Sequence, residues 1–593
     1  MNCIPQQWLG FRVGDCLTVS RKLLVFSLLV SASPARTFDD PARAAQYLKA
    51  GAQYLRSGNL SAAEKELRKA IALDSRNPEI YNLLGFICDQ THRPDQAIQN
   101  FQAALKLNPG FTPARNNLGS SYLRQQKPEL ALEEFRQTLV FRPDDVTANY
   151  NSGVIYLQQG QPSKATAYLE KAHSVSPDDP AVLFNLSRCY FGTNRNDDGV
   201  RTALEMLKGG ENKPGVFFEV GTLFLQNGLY ELAAEKLARA RVLSPRDPRI
   251  LVALAEASVR AGKMDMASDS IEGFIEAVRQ GNHTGADTAA QFSAARVVLS
   301  SLRQANPDSF KTNYQLAEIL FLDHKYGEAV EVLKTLAEKA GNNSEYFNLL
   351  GMCYAGLNQF PDARQAVVKA INLAPARADF LFNLAGIYQK AGDNESALKI
   401  LKQALAHDQN SPQIHFALGL SYFNRGSYAA ALENFHMALK IQPDFPEAVF
   451  LVGRTYERLG NRPEAVAAFQ KTVSMEPAYY PAHFQLALVL LKMGRTEEAV
   501  PLFERVVRLN PQFADAYYQL GKLHATRGDL RQASQEFEKC IAINPDHDDA
   551  YYQLGRVYAK LGNKEKAAQL FQEVNARKGR RGQKYEGLVE GDK

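Results

Sequence analysis

The sequence predicts an all-α solenoid of helical hairpins that repeat every 34 residues. Three observations carry this. A small residue recurs at a fixed interval, an alanine follows nearly every one twelve residues later, and apolar residues recur between them at helical spacing. At 593 residues the chain is too long for one compact core, so a repeat array or several domains is the expected solution.

The small residue falls at Gly51, Gly85, Gly119, Gly153, Ser187, Gly221 and Ala255. After one interruption it resumes at Ala317, Gly351, Ala385, Gly419, Gly453, Ala487, Gly521 and Gly555. Every step within each series is 34, giving seven units, a break and eight units. Fourteen of the fifteen units carry the later alanine, from Ala63 to Ala567, the exception being Gly199. A large apolar residue commonly comes four positions after that (Phe101, Phe135, Phe435, Phe469, Phe503, Phe537, Phe571), and a proline often closes the unit. A glycine at mid-unit, as at Gly58, Gly160 and Gly426, separates two helical stretches. The marker and the alanine lack bulk, so the two helices can approach closely. One hairpin cannot bury its apolar face alone, and stacking on neighbours buries it.

In period, small residue, alanine, aromatic and proline the chain resembles the tetratricopeptide repeat (TPR) family, over about residues 44–281 and 310–577. The resemblance implies a right-handed α-solenoid superhelix whose first helices line a concave groove that binds peptides or partner proteins. Two places depart from the pattern. Around Ser187 the alanine is lost to Gly199 and a Lys208–Gly215 segment rich in glycine follows, which predicts a shortened second helix. Residues 282–309 read as an insert or eroded repeat that is still helical, between array one (44–281) and array two (310–577).

At the N-terminus Arg21-Lys22 precede an eight-residue run that is apolar except for Ser27, and then small residues, Ser31 to Ala35. Residues 1–35 therefore read as a signal peptide, with export to a periplasm or the exterior as the expectation and a cytoplasmic location if the leader is not one. So short a run cannot span a bilayer, which needs about 20 apolar residues. Residues 578–593 are basic and polar, the composition of a disordered tail. The formal charge is only +5, with part of it in the termini, which argues against a dedicated polyanion binder. Cys88, Cys189, Cys353 and Cys540 have no close Cys or His spacing, so they read as buried small hydrophobes rather than a metal site or disulfide framework.

No catalytic constellation survives inspection. No histidine is followed by glutamate, Gly262-Lys263 and Gly521-Lys522 lack the rest of a phosphate-binding loop, and no nucleophile elbow occurs. Repeats consume almost the whole chain, so neither an enzyme nor a cofactor is expected.

Three rows on the first helices are candidate groove residues. Three positions before the marker stand aromatics, among them Phe416, Phe450, Phe484, Tyr518 and Tyr552. Packing between helices and contact with a ligand are both open there. Two before the marker stand amides, including Asn117, Asn151, Asn185 and Asn383, together with Gln485. An amide offers donor and acceptor to an extended peptide, or to the adjacent repeat. Around and after the marker come bases, notably Arg454, Arg458, Lys492, Lys522, Arg556 and Lys560. They would attract acidic partner segments unless Glu447, Asp515 and Asp549 neutralise them, leaving a solvated charged face. The family's chaperone-binding carboxylate clamp wants asparagine directly after the marker, and none of the fifteen units has it.

The expectation is a scaffold that binds protein or peptide partners, peripherally associated with a cell-envelope or export assembly, with no specific nucleic acid and no transmembrane segment. Two alternatives are a regulatory or substrate-binding subunit of an enzyme complex such as a glycosyltransferase, and a polyanion or cell-wall binder.

Overall fold

The computed structural model describes residues 40–210, 212–281 and 288–589. Residues 1–35, which the sequence reads as a signal peptide, lie outside them. The described residues form helices and turns without strands, and the chain divides into two compact units, one ending at Gln315 and one beginning at Leu316. Helices pair as hairpins, each with a first helix A carrying the marker and a second helix B. Numbered from Gly51 to Gly555, the hairpins are repeats 1–15.

Local sequence sets the ends of these helices. Repeat 2 shows how: Asn77 caps helix A (Pro78–Gln90) by accepting from the Glu79 backbone N–H at 2.9 Å, and Pro78 opens the first turn. Helix B is Pro94–Leu107. Between A and B, the residue seven past the marker is left-handed in all fifteen repeats. Ten of these residues are glycine; the other five are His92, Gln126, Asn194, His324 and Asn358, with φ between 57° and 60°. The turn geometry is therefore constant even where glycine is absent.

Packing repeats as faithfully. The alanine of helix B is fully buried, as at Ala63, Ala97 and Ala431. Four residues on, Phe101, Phe135, Phe435, Phe469, Phe503 and Phe537 are also fully buried, with Leu67, Leu169 and Leu237 in the same place elsewhere. These side chains cover the marker: an added Cβ would meet the Phe101 ring at 2.4 Å from Gly85 and the Phe435 ring at 2.6 Å from Gly419. The bulk that the marker makes room for is thus the aromatic rather than the alanine. Within each unit B helices also pack on the A helix of the following repeat, as in the core clusters that join repeats 3–5, 10–11 and 12–14.

In the first unit repeats 1–7 are followed by an extra helix, Thr288–Ala305. Its Phe292, Ala295, Val298, Leu299 and Leu302 are buried, and Phe292 meets Phe274 edge-on at 5.8 Å. Repeat 5 is irregular as the glycines predict. Its B helix spans only Asn196–Glu205 before a 3₁₀ turn, Met206–Gly209. The marker there is Ser187, whose hydroxyl donates to the Gly199 carbonyl at 2.7 Å, while Phe191 lies against Gly199.

In the second unit the B helix of repeat 8 is short, Tyr326–Thr335, and the final helix is long, Lys564–Val589. That last helix runs through most of the segment whose composition suggested a disordered tail; residues 590–593 lie outside the described residues. Arg577 anchors it, bonding Glu573 one turn back, the Pro545 carbonyl and the Tyr551 hydroxyl.

Candidate partner-binding surface

The three candidate rows all lie on A helices, and the structure gives each a different environment. The aromatics form a packed ladder. In repeat 12 (helix A, Pro446–Leu459) Phe450 is 8% exposed, with its ring 5.6 Å from Phe469 of its own B helix and 5.4 Å from Tyr479 at the entrance to repeat 13. Phe484 repeats this with Phe503 and Phe513, and Phe416 with Phe435 and Phe445. Tyr518 follows with Phe537 and His547, and burial raises its phenol above the ordinary value. Only Tyr552, at the end of the row, is open, 48% exposed with Phe571 on one side. Four of the five rings therefore join successive repeats.

Most of the amides do likewise. Asn117 donates to Asn82 Oδ1 at 2.8 Å and Asn383 to Asn348 Oδ1 at 2.9 Å. Asn185 donates to the Tyr150 hydroxyl at 3.2 Å and to the Ala181 carbonyl at 3.0 Å. In each case an amide two before one marker reaches the residue three before the preceding marker, which ties neighbouring A helices together. Asn151 is half-buried. In repeat 6 the same position is Glu219, whose carboxyl burial pushes above the ordinary carboxylate range.

The bases are where side chains converge. Arg454 and Arg458 of repeat 12 and Lys492 of repeat 13 (helix A, Tyr480–Lys492) line one pocket of about 450 Å³ with Glu457 and Gln485. Lys492 Nζ is 2.6 Å from Glu457 Oε1, and the guanidinium of Arg454 stands 6.0 Å from the Phe423 ring. Arg458 is exposed. Three cations against one carboxylate leave the pocket with a net charge of +2. The remaining bases are apart from it: Lys522 leans over Tyr518 and Arg556 over Tyr552, while Lys560 is exposed. Leu488 occupies the place in repeat 13 that Arg454 holds in repeat 12, which interrupts the row.

Glu447, Asp515 and Asp549 do not line the pocket; the acid that does is Glu457, which the rows overlooked. Its signal is its separation from Lys492: 35 residues, the same offset that joins the paired amides. Among the described residues no cluster of His, Cys, Asp or Glu could hold a metal ion, and no helix is long and apolar enough to cross a membrane.

Stacked two-helix units tied by aromatic and amide ladders define an α-solenoid repeat protein. Two family models, both described as tetratricopeptide repeat, match most of the chain. One covers residues 156–209, 288–353, 354–419 and 524–589. The other covers 48–111, 89–146, 116–180, 219–282, 416–480 and 484–542. The chain belongs to the tetratricopeptide repeat family.

Individual relatives are similar over short stretches. The chain is 32% identical over 113 residues to BBSome complex member BBS4 of Bos taurus, covering 19% of this chain and 21% of that protein. It is 35% identical over 89 residues to the tetratricopeptide repeat domain-containing protein PYG7, chloroplastic, of Arabidopsis thaliana, covering 14% and 30%. It thus spans about a fifth to three tenths of the curated relatives it matches. Among solved structures it is similar to YrrB, a TPR protein with an unusual peptide-binding site, at 26% identity and a TM-score of 0.28, covering 32% of this chain and 96% of that one. It is also similar to the APC/C hetero-tetramer Cut9–Hcn1, at 12% identity and a TM-score of 0.36, covering 82% and 98%.

Proposed function

We propose that this protein-interaction scaffold captures an acidic segment of a protein partner on the A helices of repeats 12 and 13. One observation carries the reading: Arg454, Arg458 and Lys492, from two successive repeats, converge on a single pocket whose one acid is already held by Lys492. Guanidinium groups bind carboxylates through paired N–H donors, and Gln485 adds an amide at the same place. The aromatic ladder, in which Phe450 meets Tyr479 at the entrance to repeat 13, keeps both helices in register, so the basic groups are positioned before a partner arrives.

Fluorescence anisotropy with the full chain tests it, using a labelled peptide of alternating glutamate and glycine and its glutamine counterpart. The glutamate peptide binds, the glutamine peptide does not, and binding weakens as salt rises. Arg454→Ala and Arg458→Ala each weaken it about tenfold, the effect of one charge-assisted hydrogen bond. Equal binding of the two peptides, or no change in either variant, overturns the reading.

A further inference from the structure

The charge of the pocket and the number of its donors narrow the occupant further, an argument that rests on the docking reading above. Arg454, Arg458 and Lys492 offset by Glu457 leave +2 in one cavity of about 450 Å³. A single carboxylate supplies one negative charge and two oxygens. Such an occupant leaves one positive charge uncompensated and cannot engage both guanidinium forks and the Gln485 amide together. A phosphomonoester carries about −1.5 to −2 at neutral pH on three oxygens around one phosphorus atom. That matches the charge of the pocket with a single group.

Glu457 has a second part in this arrangement. It is mostly covered, its side chain 17% exposed, and at 2.6 Å it fixes the ammonium of the otherwise exposed Lys492. The lysine is thereby held at the pocket as a point charge, while the two arginines supply the directional forks. Arg458 is exposed, so its donors are open to an incoming group.

We propose that the pocket is a phosphate-reading site, which docks a phosphorylated segment of a partner protein through Arg454, Arg458 and Lys492. Three labelled peptides of one sequence test this on the full chain, with phosphoserine, glutamate or serine at the central position. At pH 7.5 the phosphoserine peptide binds at least about tenfold tighter than the glutamate peptide, as expected for one additional charge-assisted bond. The preference shrinks at pH 5.5, because the second phosphate ionisation lies near 6 while glutamate stays charged. Free phosphoserine competes. Arg458→Lys keeps the charge but removes the fork, and it lowers the phosphoserine preference while circular dichroism stays unchanged. If phosphoserine and glutamate peptides bind equally, the phosphate assignment is overturned and acidic docking stands. If neither exceeds the serine peptide, the docking reading falls with it.

Discussion

The backbone of Gly85 lies against the ring of Phe101, so closely that a methyl group at position 85 would stand 2.4 Å from the ring's Cε1. Phe101 is fully buried and has little freedom to retreat. Gly85→Ala therefore separates the two helices of repeat 2 and destabilises it by about 1–3 kcal/mol, the usual range for overpacking. Gly386, also within an A helix, has nothing within 4 Å of a Cβ built there. Gly386→Ala instead gains about 0.5–1 kcal/mol from helix propensity. Guanidinium unfolding of the full-length variants checks the pair; equal effects from both would show that helix propensity, not the ring contact, governs the marker.

The left-handed residue between helices A and B gives a second prediction. Gln126 holds φ 59° without the freedom of glycine, and a side chain there costs about 1–2 kcal/mol. Gln126→Gly stabilises repeat 3 by up to about 1 kcal/mol, the glycine gain being reduced by its more flexible unfolded chain. Asn358→Gly, at φ 60°, gains less because asparagine tolerates this conformation. Hydrogen exchange in the two repeats reads the order of the gains, and a loss of protection in the Gln126 variant contradicts it.

Along the aromatic row burial predicts a gradient. Phe450→Ala removes a ring packed between Phe469 and Tyr479 and costs about 3–5 kcal/mol. Tyr552→Ala, with its ring 48% exposed, costs under about 1 kcal/mol. Thermal unfolding followed by circular dichroism distinguishes them. Comparable losses would mean that the two rings contribute alike despite their different surroundings.

The hairpins were legible because one period fixes turn, cap and core together. The left-handed turn, the buried alanine and the covering aromatic each recur at a constant distance from the marker, so each unit reinforces the reading of the next. Contacts between units were harder to see. Asn117 reaches Asn82, and Phe450 reaches Tyr479, across a repeat boundary. The row of amides therefore read equally as groove or as seam until stacking was known. The basic row divides in a different way: of its six bases, Arg454, Arg458 and Lys492 share one pocket. Leu488 interrupts the row in sequence, and Lys522 and Arg556 settle over the tyrosine rings four residues before them on the same helix.

The buried thiols give the chain a measurable alkaline limit. Burial pushes Cys353 and Cys540 up to about 12 and Cys189 to about 11, from an ordinary value of 9.0. The folded protein thus holds these protons at pH values where the unfolded chain releases them. Their contribution to stability is complete below about pH 9 and is lost as pH rises toward 11 and 12. The urea midpoint should decline as pH rises from about 9 toward 11, the window those shifts define. Because the thiolate is the reactive form, Cys189, Cys353 and Cys540 should also resist a thiol reagent at pH 8 in the native chain and react on unfolding. Replacing Cys3 and Cys16 with serine removes the two cysteines outside the described residues from that titration. Prompt native labelling at Cys353 would show that repeat 9 opens locally, and a urea midpoint unchanged through pH 10.5 would show that the thiols are solvated in the fold.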